Sequence, residues 1–177
     1  MRLAHAKCFA VAAILSAAPL ASARAPDLSG LPRSPACDLL TADDVRQATG
    51  RQEYGEGDTG DMPGEGVGGG TSCQWDRQGN SGERVPMVGV VLIPRAKGYM
   101  DGRKAAKPRA GCTREEVSGL GEYAFFEVCP KQSELPLFVK TRGSSDLVVT
   151  MQVRSFDPAA LKPQVVALAK AAVAKVK

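Results

Sequence analysis

The sequence predicts an α+β fold, in which an antiparallel β-sheet of about five to six strands carries a short N-terminal helix and a C-terminal helix on one face. Three observations predict this class: a capped helix pattern at residues 41–50, strand patterns between residues 73 and 153, and an apolar stripe with helical spacing at the C-terminal end. The chain has 177 residues, which is enough for one domain and too few for two well-filled cores.

The 23 N-terminal residues are predicted to form a signal peptide rather than part of the fold. Two basic residues precede an apolar stretch at residues 8–20, which is too short to cross a bilayer core of about 30 Å as a helix. Small residues follow, so we expect cleavage after Ala23. No lipobox of small residues precedes Cys8, so no lipid anchor is predicted. The expected organisation is a signal peptide, an extended lead-in and a single α+β domain, at residues 1–23, 24–35 and 36–177.

Cleavage of this segment would place the protein in the periplasm or outside the cell. It would also remove His5, the only histidine, and so exclude Ser-His-Asp and Cys-His catalytic arrangements from the mature chain. The neighbouring Glu115 and Glu116 lie on a predicted strand and point to opposite faces, so they cannot converge on one bond. We therefore expect a protein that is not an enzyme and that needs no cofactor.

The charge of the mature chain argues against nucleic acid as a partner. Cleavage removes two of the 23 basic residues and no acid, so the net charge falls to 21 − 19 = +2. A basic segment at residues 95–109, here called the basic connector, could still bind an anionic envelope polymer or an acidic protein surface. Its basic residues are Arg95, Lys97, Arg103, Lys104, Lys107 and Arg109. The sole tryptophan, Trp75, is a further candidate for a partner surface, although packing against a disulfide is the preferred interpretation.

An acidic, glycine-rich loop lies between residues 51 and 72. Glu56, Asp58 and Asp61 could supply oxygen ligands to calcium. The order of acids matches no EF-hand loop, so a solvated loop is the preferred interpretation, and calcium binding stays an open alternative.

Four cysteines remain after cleavage, and an even count in an exported chain predicts two disulfides with three possible pairings. They are Cys37, Cys73, Cys112 and Cys129. The chain contains no Cys-x-x-Cys motif, which argues against a zinc-binding or redox-active set. We favour the pairs Cys37–Cys73 and Cys112–Cys129.

The second pair has the stronger support, because strand patterns flank a four-residue turn at residues 118–121 and predict a β-hairpin. Closing this hairpin at Val117 and Glu122 leaves Cys112 and Cys129 two residues out of register, which a β-bulge could correct.

Local patterns predict the remaining elements. Thr41 and Gly50 suit the two ends of a helix, and residues 85–93 are apolar enough for a strand buried on both faces. Residues 147–153 alternate between apolar and polar side chains and predict a half-buried strand. The C-terminal helix is expected to begin near Lys162, because Pro163 is tolerated only in a first turn.

Four segments resemble a family of small exported bacterial proteins and lipoproteins of unknown function. They are Cys37-Asp-Leu-Leu-Thr-Ala-Asp-Asp-Val45, Cys73-Gln-Trp75, Val117-Ser-Gly-Leu-Gly-Glu-Tyr-Ala124 and the C-terminal helix. The resemblance spans residues 36–176 and implies an antiparallel sheet similar to the Mog1/PsbP-like fold. It also implies a disulfide between Cys37 and Cys73, and it supplies no catalytic residues.

These observations together predict an exported, non-enzymatic envelope protein that binds a partner. An inhibitor or immunity-type protein that neutralises a secreted toxin or hydrolase through the loop at residues 51–72 is the alternative.

Overall fold

The strands that the sequence patterns predict form one six-stranded antiparallel sheet in the described part of the chain. Its strands are β1 (Thr71–Trp75), β2 (Met87–Pro94), β3 (Thr113–Val117), β4 (Tyr123–Val128), β5 (Glu134–Lys140) and β6 (Ser145–Gln152). Across the sheet their order is β1-β2-β6-β5-β4-β3, so β1 and β3 are the two edge strands.

The structure is a computed structural model that describes residues 34–59, 70–76, 86–130, 132–152 and 157–177. The predicted signal peptide, most of the lead-in, Asp61 and residues 77–84 lie outside these ranges. Residues Pro32–Lys177 belong to one compact unit. In the ranges just given, no helix has the length and apolar character needed to cross a membrane.

Helix α1 (Ala42–Thr49) forms where the capping residues predict it. The hydroxyl of Thr41 accepts a hydrogen bond from the Asp44 backbone N–H at 3.1 Å, and the Asp44 carboxylate accepts one from the Thr41 N–H at 2.8 Å. This reciprocal capping box satisfies two donors that the first turn leaves free. Gly50 ends the helix in the left-handed region at φ 69°, and the predicted helix is confirmed.

The C-terminal helix, α3 (Pro158–Val173), begins earlier than expected. Asp157 accepts a hydrogen bond from the Ala159 N–H at 3.0 Å, so the helix starts at Pro158. The expected start near Lys162 is therefore wrong. Pro163 is tolerated inside the helix because both it and Ala159, whose carbonyl loses its donor, are exposed to water.

Helices α1 and α3 contact each other, and α3 lies over β5 and β6 on one face of the sheet. Their buried side chains join those of the strands in the main core, which includes Val45, Val90, Leu137, Val149 and Val165. A short 3-10 helix, Pro35–Asp38, closes this core beside β1. The predicted α+β class, with an N-terminal and a C-terminal helix on one face, is confirmed.

The opposite face carries a second buried cluster, to which helix α2 (Tyr99–Ala105) contributes Met100. The sheet supplies the other members of the cluster, which are Val91, Ile93, Phe125, Phe138 and Val148. Strand β6 is consequently buried on both faces, with Val148 7% and Thr150 3% exposed. The expectation of a half-buried strand is therefore wrong.

The β3–β4 hairpin has a different register from the expected one. Val117 pairs with Ala124 rather than with Glu122, and Thr113 pairs with Val128. Glu122 instead donates its backbone N–H to the carbonyl of Lys140 on β5, at 2.8 Å. The loop is therefore longer than expected. One position beyond the Thr113–Val128 pair, Cys112 and Cys129 lie opposite each other, so no bulge is needed.

Candidate functional site

Both favoured disulfides are present, Cys37–Cys73 and Cys112–Cys129, with sequence separations of 36 and 17 residues. The first ties the 3-10 helix to edge strand β1, and the second closes the hairpin that contains edge strand β3. Through the entropy of the unfolded chain, the first cross-link is expected to stabilise the fold by about 4 kcal/mol and the second by about 3 kcal/mol.

The Cys37–Cys73 disulfide lies in an apolar environment. Both cysteines and Trp75 are fully buried. A Cβ atom at Gly57 would lie 2.5 Å from Cε2 of Trp75 and 2.7 Å from Sγ of Cys73, so the backbone itself covers the ring and the sulfur. Trp75 is part of the core and offers no surface to a partner in this structure.

Four of the six candidate cations in the basic connector are held by partners within the domain. Arg95 forms an ion pair with Glu122 at 2.6 Å. Arg103 and Arg109 share the carboxylate of Glu127, and the ammonium group of Lys104 lies 4.0 Å from the centre of the Tyr123 ring. The other two, Lys97 and Lys107, are exposed and form no ion pair with the residues that the structure describes.

Glu127 is the centre of this arrangement. Its side chain is only 1% exposed, and each of its carboxylate oxygens lies 2.7 Å from a guanidinium nitrogen. Burial alone would raise the pKa of Glu127, but Arg109 and Arg103 outweigh it and hold the pKa below the usual value. One buried carboxylate from β4 therefore anchors α2 and the chain that follows it.

Aromatic rings of the sheet also contact Arg103 and one further cation, Arg114. The guanidinium of Arg103 lies 4.8 Å from the centre of the Phe138 ring, and that of Arg114 lies 4.5 Å from the Phe125 ring. Arg114 also donates to the carbonyls of Arg103, Lys104 and Ala106 at the end of α2. Because these partners lie on strands far away in sequence, the composition of the connector alone could not reveal them.

A surface cavity of about 330 Å³ lies beside the Cys112–Cys129 disulfide. It is lined by Arg109, Ala110, Gly111, Cys112, Cys129, Pro130 and Gln132. The sulfur atoms of the two cysteines and a carboxylate oxygen of Glu127 all lie within 4.8 Å of one another. Among the described residues this is the only group of three potential metal ligands that converge. Sequence reasoning missed Glu127, because only the hairpin register places it here.

The two edge strands of the sheet, β1 and β3, differ in the pairing of their outer sides. Outside β1, Asp58 forms two backbone hydrogen bonds of 2.9 Å with Gln74, so the preceding segment closes part of that edge. No strand in the described part of the chain lies beyond β3. Thr113, Glu115 and Glu116 are exposed there, and Glu115 forms an ion pair with Lys162 of α3 at 2.6 Å. Within the residues that the structure describes, edge strand β3 is therefore open, that is, unpaired on its outer side, and acidic.

The first part of the predicted glycine-rich loop is packed on the core. Tyr54 is fully buried, its hydroxyl donates to the carbonyl of Pro86, and its own carbonyl accepts from Arg46 at 2.9 Å. The burial of Tyr54 could not be predicted from the sequence, because the surrounding glycines indicate a solvated loop. Of the candidate calcium ligands, Glu56 and Asp58 are exposed, and Asp61 lies outside the described residues.

Comparison of the chain with protein-family models, with curated proteins and with solved structures found no match. The resemblance to small exported bacterial proteins therefore stays a prediction, and the geometry of the sheet edge and of the cysteine cavity carries the functional argument.

Proposed function

We propose that this chain is an exported, non-enzymatic protein of the cell envelope that binds an extended segment of another protein along β3. The observation that carries this proposal is the difference between the two sheet edges. An open edge strand presents unpaired backbone N–H and C=O groups, to which an extended peptide can add as a further strand. The Asp58–Gln74 bridge occupies such groups at the β1 edge.

The charge of β3 favours a basic partner segment. Alternate residues of a strand point to opposite faces, so Glu115 lies toward α3, where Lys162 binds it, and Glu116 lies toward the other face. Glu116 is exposed and has no ion-pair partner among the described residues. A lysine or arginine of an added strand opposite Glu116 would form a cross-strand pair of opposite charge.

The basic connector gives weaker evidence for an anionic polymer as the partner. Only Lys97 and Lys107 remain available in the described structure, whereas Arg95, Arg103, Lys104 and Arg109 already have partners within the domain. The inhibitor alternative depends on a free loop at residues 51–72, and its first part is bound to the core through Tyr54 and Asp58.

Export is supported by the two disulfides, which persist in oxidising compartments, together with the predicted signal peptide. In that compartment the mature chain would have no histidine. A role in binding rather than in general acid–base catalysis is consistent with this composition.

Site-specific photocrosslinking in cells that produce the protein tests the proposal. A photoreactive residue at Thr113, on the open edge, should capture a distinct partner protein. The same residue at Lys170, which is exposed on α3, serves as the control and should not. Glu116→Lys should reduce capture from position 113 because it reverses the charge that the partner meets. The proposal is wrong if capture is equal at both positions or unchanged by Glu116→Lys.

A further inference from the structure

The two disulfides lie in different chemical environments. Cys37 and Cys73 are both fully buried beside Trp75, whereas Cys112 is partly exposed and lines the cavity. A dithiol can reach a sulfur atom only where solvent can reach it. The Cys112–Cys129 bond is therefore the one that a reductant can attack first while the fold persists.

We propose that reduction of this bond creates a binding site for one zinc-like divalent cation, with Cys112, Cys129 and Glu127 as ligands. Thiolate sulfur and carboxylate oxygen are both ligands that zinc accepts. The three ligand atoms already lie within 4.8 Å of one another, and two sulfurs on a tetrahedral zinc ion are about 3.8 Å apart. The hairpin register therefore brings the ligands together without rearrangement of the strands.

The redox step balances with a dithiol as the reductant. The dithiol supplies two electrons and two protons, its own sulfurs form a disulfide, and the Cys112–Cys129 bond breaks to give two thiols. Binding of the cation then releases both thiol protons, because zinc is bound by thiolates. In the oxidised protein the sulfurs are bonded to each other, so the site exists only in the reduced form.

The charges around the site suit a divalent cation. Once the cation has displaced both thiol protons, two thiolates and Glu127 carry three negative charges, and Arg103 and Arg109 carry two positive charges, so these groups present a net charge of about −1 to the bound cation. A carboxylate offers about four lone-pair positions, and the two arginines use one on each oxygen. Lone pairs therefore remain for a metal.

The cavity provides room for a fourth ligand. Its volume of about 330 Å³ is larger than the share of about 30 Å³ that one water molecule occupies. Gln132 also lines the cavity, and its side-chain oxygen accepts from Arg109 at 3.0 Å. A water molecule or this amide oxygen would complete a tetrahedral site.

Cobalt(II) is the probe for this proposal, because thiolate ligation gives it a near-ultraviolet charge-transfer band. The purified protein is treated with a mild dithiol, which is removed without oxygen, and alkylation with mass mapping then verifies free thiols at Cys112 and Cys129. We expect one cobalt ion per reduced chain with this band, and no band in the oxidised protein. Circular dichroism before and after reduction checks that the domain remains folded.

Two variants assign the ligands. Cys112→Ser/Cys129→Ser should abolish the band, and Glu127→Gln should weaken cobalt binding at least about tenfold. Cys37→Ala/Cys73→Ala leaves the proposed ligands in place and should retain the band. The proposal is overturned if the folded, reduced protein gives no band, if Glu127→Gln binds as tightly as the native chain, or if reduction unfolds the domain and cobalt does not restore it.

Discussion

Gly57 illustrates how one residue controls the packing around the buried disulfide. Its backbone lies so close to Trp75 and Cys73 that any side chain would collide with both. Neither neighbour can move easily, because both are fully buried and Cys73 is cross-linked to Cys37. A glycine here permits close approach of the backbone rather than a special backbone conformation.

Gly57→Ala should therefore lower the free energy of unfolding by about 1–3 kcal/mol through overpacking. Gly102 is the matched control, since it lies in α2 and a Cβ atom there would meet nothing within 4 Å. Gly102→Ala should stabilise the protein by about 0.5–1 kcal/mol. Denaturant unfolding of both variants measures the effects, and equal stability of the two would contradict the packing.

Glu127 contributes to stability through a charge that two arginines share. Glu127→Gln removes the negative charge that both guanidinium groups bind. We therefore expect a loss of about 1–3 kcal/mol in the free energy of unfolding at neutral pH. Because folding lowers the pKa of Glu127, its contribution is complete above the unfolded pKa and is lost as the pH falls through the folded value. The stability difference between native and variant protein should shrink on acidification.

Glu134 provides a control, because folding shifts its pKa in the opposite direction from that of Glu127. Burial raises the pKa of Glu134, and the positive charge of Arg109 opposes this shift without cancelling it. The charged form is therefore disfavoured in the folded state, so Glu134→Gln should leave stability unchanged or raise it at neutral pH. A loss of stability similar to that of Glu127→Gln would contradict the assigned roles.

At the scale of elements, α2 is attached to the sheet mainly through charges. Met100 is its only fully buried side chain, while Asp101 pairs with Lys140 at 2.6 Å and Arg103 pairs with Glu127. Helix α3, in contrast, buries Leu161, Val165 and Leu168 against the main core. The two helices should therefore respond differently to salt.

Raising the salt concentration to about 1 M shortens the Debye length to about 3 Å and weakens ion pairs that water reaches, such as Asp101–Lys140, in which Asp101 is 62% exposed. We expect amide hydrogen exchange to become faster in α2 and to stay unchanged in α3, which apolar burial holds. Equal responses of the two helices would show that charges do not hold α2.

Elements with strong local signals could be predicted from the sequence. The capping residues Thr41 and Gly50 identified α1, and the strand patterns on either side of the turn at residues 118–121 identified the hairpin. Features that depend on distant contacts could not be predicted. The register of the hairpin depends on a hydrogen bond from Glu122 to β5, and the burial of β6 on both faces depends on the second cluster.

The candidate site was less predictable than the fold. The basic residues of the connector were visible as a run, but their partners Glu122, Tyr123 and Glu127 come from the β3–β4 hairpin. A run of charges shows neither which charges remain exposed nor which are paired. The open edge of β3 was likewise invisible, because the strand order depends on pairings across the whole chain.

For the whole molecule, the two disulfides stabilise opposite edges of the sheet to different extents. Cys37–Cys73 closes a longer stretch of chain than Cys112–Cys129, 36 against 17 residues, and is fully buried. Replacement of Cys37 and Cys73 by alanine should therefore destabilise the domain by about 1 kcal/mol more than the equivalent change at Cys112 and Cys129. Thermal unfolding of both variants measures this, and the reverse order would contradict the account.

Export with cleavage of the predicted signal peptide underlies the proposed location, the oxidised state of the cysteines and the expected loss of His5 from the mature chain. Mass spectrometry of the protein isolated from its native cells, without reduction, tests this claim most directly. We expect a chain that begins at Arg24 and carries the pairs Cys37–Cys73 and Cys112–Cys129. A chain that begins at Met1 and carries all of its cysteines as free thiols would contradict the claim.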